Sequence, residues 1–229
     1  MCLIIYGASI YYVEMVHFVG KFRIFAYTLI QVIMEKIIKI FEKNKGYARM
    51  KDLRSKNIHP RDVTKALSSG IIEKIKPGLY KLVDYPWDEH GSFVDVCKAF
   101  NKAVICLTSA SSYYDLTTFN PAYVTVAVPH NTRGLNIDYP PVQVYYFPHQ
   151  YYNTGITNVE TQSGILRIYE TEKTLCDLFR YRKKIGEDIM LESLKNYLSK
   201  SGRDINKLMT YADKLGVKEK MLPYVKAMV

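Results

Sequence analysis

Between residues 34 and 82 the apolar positions change period once. Ile37, Ile38 and Phe41, with the aliphatic stem of Lys45, recur at helical spacing from Met34, and Gly46 stops the run. A second helix fits Arg49 to Lys56 with Met50 and Leu53 inward. After the turn Asn57-Ile58-His59, Pro60 suits the first position of a third helix, where its missing N–H costs nothing. Val63, Ala66 and Leu67 give that helix its apolar stripe and Gly70 ends it. The period then drops to two in IIEKIKPGLYKL (71–82), two short strands about Pro77-Gly78. Strict alternation predicts Ile71, Glu73 and Ile75 on one face, and Ile72, Lys74 and Lys76 on the other.

Three short helices and a hairpin are the order of a winged helix-turn-helix, in which the last helix enters the major groove of DNA. Beyond the polar, turn-rich stretch Asp84–Gly91 the pattern changes again. SFVDVCKAF (92–100) reads as a helix, and AVICLTSASSYYDLT (103–117) as a buried segment leading into another. AYVTVAVP (122–129) and VQVYYFP (142–148) read as strands, and residues 156–170 as a strand pair turning near Gln162-Ser163-Gly164. Helical periodicity then governs TEKTLCDLFRYRKK, EDIMLESLKNYLSK and DINKLMTYADKLG, the last with Asp204 as N-cap. The expected class is therefore α+β: a winged helix-turn-helix over 34–84, then a mixed α/β domain with a helical C-terminus over 85–229.

Residues 1–33 stand apart. They are mostly apolar, but Glu14, His17, Lys21 and Arg23 split them into pieces too short to span a membrane. They lack the charge order and cleavage site of a signal peptide. Two expectations remain open: that translation begins at Met34 or Met15 and the rest is an extension, or that the segment is an extra packing or dimerisation helix.

Charge sharpens the picture. Of the net +10, residues 35–81 supply +8, with thirteen Lys/Arg against five acids; the segments on either side supply +1 each. Concentrated positive charge is the footprint of a polyanion. On the third helix Arg61, Thr64, Lys65 and Ser68 lie off the apolar stripe. Arg61 is suited to a bidentate pair with guanine and Lys65 to a phosphate. Tyr47, Arg49 and His59, near helix starts, and Lys74 and Lys76 on the wing complete the candidate DNA-contacting set. A small helical domain of this kind also serves protein contacts. A second basic run, Arg180, Arg182, Lys183 and Lys184, ends a helix, where the dipole alone favours cations; it reads either as that or as a partner-binding or nucleic-acid surface.

Chemistry is sparse. Cys2, Cys97, Cys106 and Cys176 form no C-x-x-C pair, and the five histidines are scattered, so free thiols and no metal or cofactor are expected. G-x-S-x-G, H-E-x-x-H and the phosphate-binding G-x-x-x-x-G-K are absent. Glu170-Thr171-Glu172-Lys173 places its lysine one residue too soon for a restriction-type nuclease core.

YETEKTLCDLFRYRKKIGEDIMLESLKNYL (169–198) resembles the signature region of AbiEi family antitoxins of type IV toxin–antitoxin systems. LTSASSYYDLT (107–117) with VTVAVP (124–129) is similar to that family's earlier core, and KPGLYKL (76–82) to its wing closure. Ser111-Ser112 departs from the pattern, which more often carries a bulkier apolar residue there. The resemblance implies a cytoplasmic, non-enzymatic protein active in phage defence by abortive infection. Its winged domain would bind double-stranded DNA, the inverted repeats of its own operator, and repress the operon. Its C-terminal domain would counteract a nucleotidyltransferase-like toxin without necessarily touching it. The rival expectation is a nuclease or nucleotide-modifying enzyme that uses the winged domain to find its substrate.

Overall fold

Helix α1 covers residues 30–43 in the computed structural model, which describes residues 30–135, 137 and 139–228. Ile37 and Phe41, four residues apart and so on one helix face, are fully buried. The helix begins upstream of the expected Met34, and both Ile33 and Met34 pack against the core. The expectations for residues 1–29 lie outside the described residues. At its end the Gly46 amide donates to the Phe41 carbonyl at 2.8 Å, with Gly46 at φ +83°. A Cβ at Gly46 would lie 2.6 Å from the Tyr85 ring, so this close approach needs glycine. Lys45 is exposed at φ +55°, outside the helix and off its apolar stripe.

Strand β1 (Tyr47–Arg49), helices α2 (Met50–Ser55) and α3 (Pro60–Ser68), and strands β2 (Ile72–Lys76) and β3 (Leu79–Leu82) complete the N-terminal unit, which ends at Tyr85. The sheet is antiparallel in the order β1-β3-β2. Its third strand is a correction: helical spacing places Arg49 in the second helix and Tyr47 near its start, whereas both are strand residues. A core of Ile37, Phe41, Leu53, Val63, Ala66 and Ile72, with Tyr80 and Leu82 from β3, joins the helices to the sheet.

The C-terminal unit starts at Pro86. It contains α4 (Gly91–Ala99), β4 (Val104–Ile105), α5 (Leu107–Tyr113), β5 (Val124–Pro129), β6 (Val142–Phe147), α6 (His149–Tyr152), β7 (Ile156–Glu160) and β8 (Ile165–Tyr169). The five strands form one mixed sheet, β6-β5-β4-β8-β7. β4 pairs antiparallel with β5 and parallel with β8, while β7 and β8 form the expected hairpin. Helices α7 (Thr171–Ile185), α8 (Glu187–Ser199), α9 (Ile205–Lys214) and α10 (Lys218–Met228) follow. The fold class is as the sequence predicted, mixed α and β with a helical C-terminus.

α7 is the axis of this unit. Every residue from Glu172 to Phe179 is buried, apolar and polar alike, so its polar side chains need partners inside the protein. Lys173 and Asp177 pair at 2.6 Å, 0% and 1% exposed. Ser111 is accommodated in the same way: its hydroxyl lies 2.7 Å from that of Ser193 on α8, both buried. A hydroxyl pair across α5 and α8 thus occupies the place where the family pattern more often carries a bulkier apolar residue.

Candidate nucleic-acid interface

α3 is built to present its N-terminal half. Pro60 takes the first helical position, and His59 caps the helix, Nδ1 accepting from the Arg61 amide at 3.2 Å. Val63 and Ala66 turn inward. Arg61, Thr64, Lys65 and Ser68 are all exposed, and their spacing places them on one stripe. The Thr64 hydroxyl donates to the Pro60 carbonyl at 3.1 Å and the Ser68 hydroxyl to that of Lys65 at 2.9 Å. Lys65 is 3.7 Å from Asp62, an exposed pair that contributes little. His59, expected as a phosphate donor, therefore has one ring nitrogen committed to the cap.

The wing departs from strict alternation. The β2–β3 register shifts between Lys74 and Lys76: Lys74 lies opposite Tyr80 and Lys76 opposite Leu79. Tyr80 and Leu79 are consecutive in one strand and point to opposite faces. The two lysines therefore do too, and do not share a face as alternation predicted. The cause is a β-bulge, an extra residue that resets the pleat and lets Ile72 and Ile75 both be buried. Lys74 is exposed, and Lys76 shares its sheet face with Arg49, which also lies opposite Leu79. Partial burial, then the Arg49 charge, lowers the Lys76 pKa.

Tyr47 is not placed at a helix start. It is a strand residue, 3% exposed, with the Lys81 ammonium 5.8 Å from its ring centroid. Arg49 is the last residue of β1, and its amide donates to Asp52 at 3.2 Å. The structure thus brings together the stripe on α3, and separately Arg49, Lys76 and Lys81 on one sheet face, leaving Lys74 on the other. Lys81 was missed as a candidate; its place opposite Tyr47 depends on β1, which the sequence pattern did not reveal.

The second basic run is not one surface. The Arg180 guanidinium stacks 3.8 Å from the Tyr151 ring and donates to the Leu215 carbonyl. Arg182 donates to the Phe179 carbonyl at 2.9 Å and lies 3.5 Å from Glu187. Lys183 and Lys184 are exposed. Both arginines serve the packing of the C-terminal unit.

The signature run upstream of it is internal as well. Lys173 also lies 4.4 Å from the Tyr169 ring centroid and 5.1 Å from that of Phe147. Burial raises the Asp177 pKa, opposed by Lys173. Glu172 accepts from the Tyr197 hydroxyl at 3.1 Å and Glu170 from that of Tyr211 at 2.7 Å, and Lys207 of α9 lies 3.1 Å from each carboxylate. Burial pushes the thiol of Cys97 up to about 11 and that of Cys176 up to about 12, so neither is primed for attack. Among the described residues no group of three or more His, Cys, Asp or Glu side chains is placed to hold a metal ion, and no helix is long and apolar enough to cross a membrane.

The N-terminal unit is thus a winged helix-turn-helix with cationic and hydroxyl side chains on the outer stripe of α3. Residues 35–83 match the family model described as transcriptional regulator, AbiEi antitoxin, as the sequence resemblance led us to expect. The matched segment lies within the N-terminal unit. Among solved structures, the chain is similar to the RV2827C protein from Mycobacterium tuberculosis. That match has a TM-score of 0.54 at 12% identity and covers 85% of this chain and 81% of the other. The likeness is one of fold. No curated protein matches the chain by sequence.

Proposed function

We infer that this protein is a DNA-binding autorepressor and the antitoxin of a type IV toxin–antitoxin system, acting in the cytoplasm without catalysis of its own. The reading rests on one observation above the others: the exposed Arg61-Thr64-Lys65-Ser68 stripe at the outward face of a helix that a winged domain lays into the major groove. Arg61 reads a guanine edge, Lys65 grips a phosphate, and Lys74 and Lys76, from opposite faces of the wing, hold backbone phosphates, with Arg49 beside Lys76. The operator is an inverted repeat upstream of its own gene. The toxin is a nucleotidyltransferase-like protein encoded alongside and counteracted without an obligatory complex.

Binding of the full chain to its upstream DNA across a salt series tests the repressor half. Arg61→Ala should cost about 1–3 kcal/mol on the operator and relax specificity at one base pair. Lys74→Ala/Lys76→Ala should weaken all DNA alike and reduce the salt slope by about 2. Equal affinity of wild type and Arg61→Ala for operator and random DNA would sink the assignment. For the antitoxin half, co-expression with the neighbouring gene should restore growth that the neighbour alone arrests; continued arrest would refute it.

A further inference from the structure

The C-terminal unit carries a cleft of about 590 Å³ that the DNA-binding reading leaves unused. It lies between the start of α4, the end of α5 and the entry to β5. Its walls hold Phe93, Tyr113, Tyr123 and Tyr139, with Glu89 and Asp115 among them. In a chain of net charge +10, no Lys or Arg is among the described residues that line it. Aromatic side chains and carboxylates together form the surroundings that attract an ammonium or guanidinium group.

The wall from α4 and α5 is held by ring contacts. His90 stacks on Phe93, with centroids 5.9 Å apart and planes 8° apart, and meets the Tyr113 ring at 4.5 Å. Pro121, Pro140 and Pro141 form further wall, so little side-chain order has to be gained on binding. Asp115, at φ +51°, is held beyond α5 by the hydrogen bond its backbone N–H donates to the Ser112 carbonyl at 3.0 Å. Burial first, and the charge of Asp88 second, raise the Tyr113 pKa, in keeping with a negative local field.

The dimensions point to a chain segment as occupant. The volume lies in the range of drug-sized ligand sites, larger than one guanidinium head needs. Tyr123 and Tyr139 stay 41% and 69% exposed, apolar surface that a free cation would leave wet and an extended backbone would cover. Aromatic-lined grooves dock extended peptide segments. We propose that this cleft docks an extended segment of a partner protein and receives one of its arginine or lysine side chains between the tyrosines and the Glu89 and Asp115 carboxylates.

The test uses the full chain and an end-blocked peptide of serine and glycine carrying two arginines, followed by amide chemical shifts. Saturable shifts centred on Tyr113, Asp115 and Tyr123 are expected. A counterpart with citrulline for arginine should bind about 10-fold more weakly or less, and Asp115→Asn and Tyr123→Ala should each weaken the arginine peptide about fivefold. The unshifted remainder of each variant's spectrum checks its fold. No saturation by about 1 mM, equal binding of the citrulline peptide, or shifts confined to other surfaces would overturn the proposal. So would spermidine displacing the peptide at equal concentration, because the cleft would then read charge alone.

Discussion

The two units treat charge in opposite ways. In the N-terminal unit the excess cations stand outside: Arg61, Lys65 and Lys74 are exposed, and the core among the described residues is apolar apart from the Tyr47 and Tyr80 hydroxyls. In the C-terminal unit, where acids and bases nearly balance, the telling charges are inside. Lys173 and Asp177 are almost inaccessible, and Lys207 bridges Glu170 and Glu172 between α9 and the start of α7. The lesson is that a lysine's meaning follows from its solvent. In water it is free to neutralise a phosphate, whereas in a core it must be answered by a carboxylate or it destabilises the fold.

The largest effect should come from breaking the inner pair. Lys173→Met leaves the Asp177 carboxylate buried without its cation, and should cost about 3–5 kcal/mol of stability, seen as faster amide exchange along α7. Replacing both, as Lys173→Met/Asp177→Leu, removes the uncompensated charge and should recover most of that loss. If the single variant were as stable as wild type, the internal reading of the signature run would fail.

A smaller effect separates the network around α9 by pH. Burial opposes the charge of Lys207, but its bonds to Glu172 and Glu170 raise its pKa above 10.5. Burial also works against Glu170, and the Tyr211 hydroxyl and Lys207 bring its pKa below 4.5. The signs follow. Glu170 contributes stability above its ordinary value and loses it as pH falls through the lowered one. Lys207 contributes fully below its ordinary value and loses it as pH rises through the raised one. Lys207→Met should flatten both edges of the stability–pH curve. With 43% of the Lys207 side chain exposed, solvent screening limits the change to about 1 kcal/mol. Parallel curves for variant and wild type would remove Lys207 from the account.

What the sequence could tell divides along physical lines. Elements fixed by local signals were legible: Pro60 opening α3, the β7–β8 hairpin, and Asp204 capping α9, whose carboxylate accepts from the Lys207 amide at 2.8 Å. Features fixed by distant partners were not. β1 is three residues long and exists because β3 pairs with it, and three residues are too few for alternation to show. The bulge that separates Lys74 from Lys76 answers the need to bury both Ile72 and Ile75, which no local motif announces. Glu170 and Glu172 looked like a failed metal motif because their partner, Lys207, lies three dozen residues on. In the candidate interface, the α3 stripe was readable from helical spacing, while the burial of Tyr47 and the place of Lys81 depended on that unseen strand.

The smallest expected effect on stability is also the sharpest test of the contrast between the units. Lys65 is a lysine on a helix with an acid in reach, as Lys173 is, but it stands in water where Lys173 is enclosed. Its distance of 3.7 Å from Asp62 and 48% exposure make the pair nearly neutral for folding. Lys65→Ala should therefore shift unfolding by no more than about 0.5 kcal/mol, while lowering the salt slope of DNA binding by about 1. Denaturant melts and a binding titration at several salt concentrations, run on one preparation, read both. A destabilisation approaching that of Lys173→Met, with an unchanged slope, would mean that the outer cations of the N-terminal unit hold the fold rather than the DNA, and the two units would no longer differ in kind.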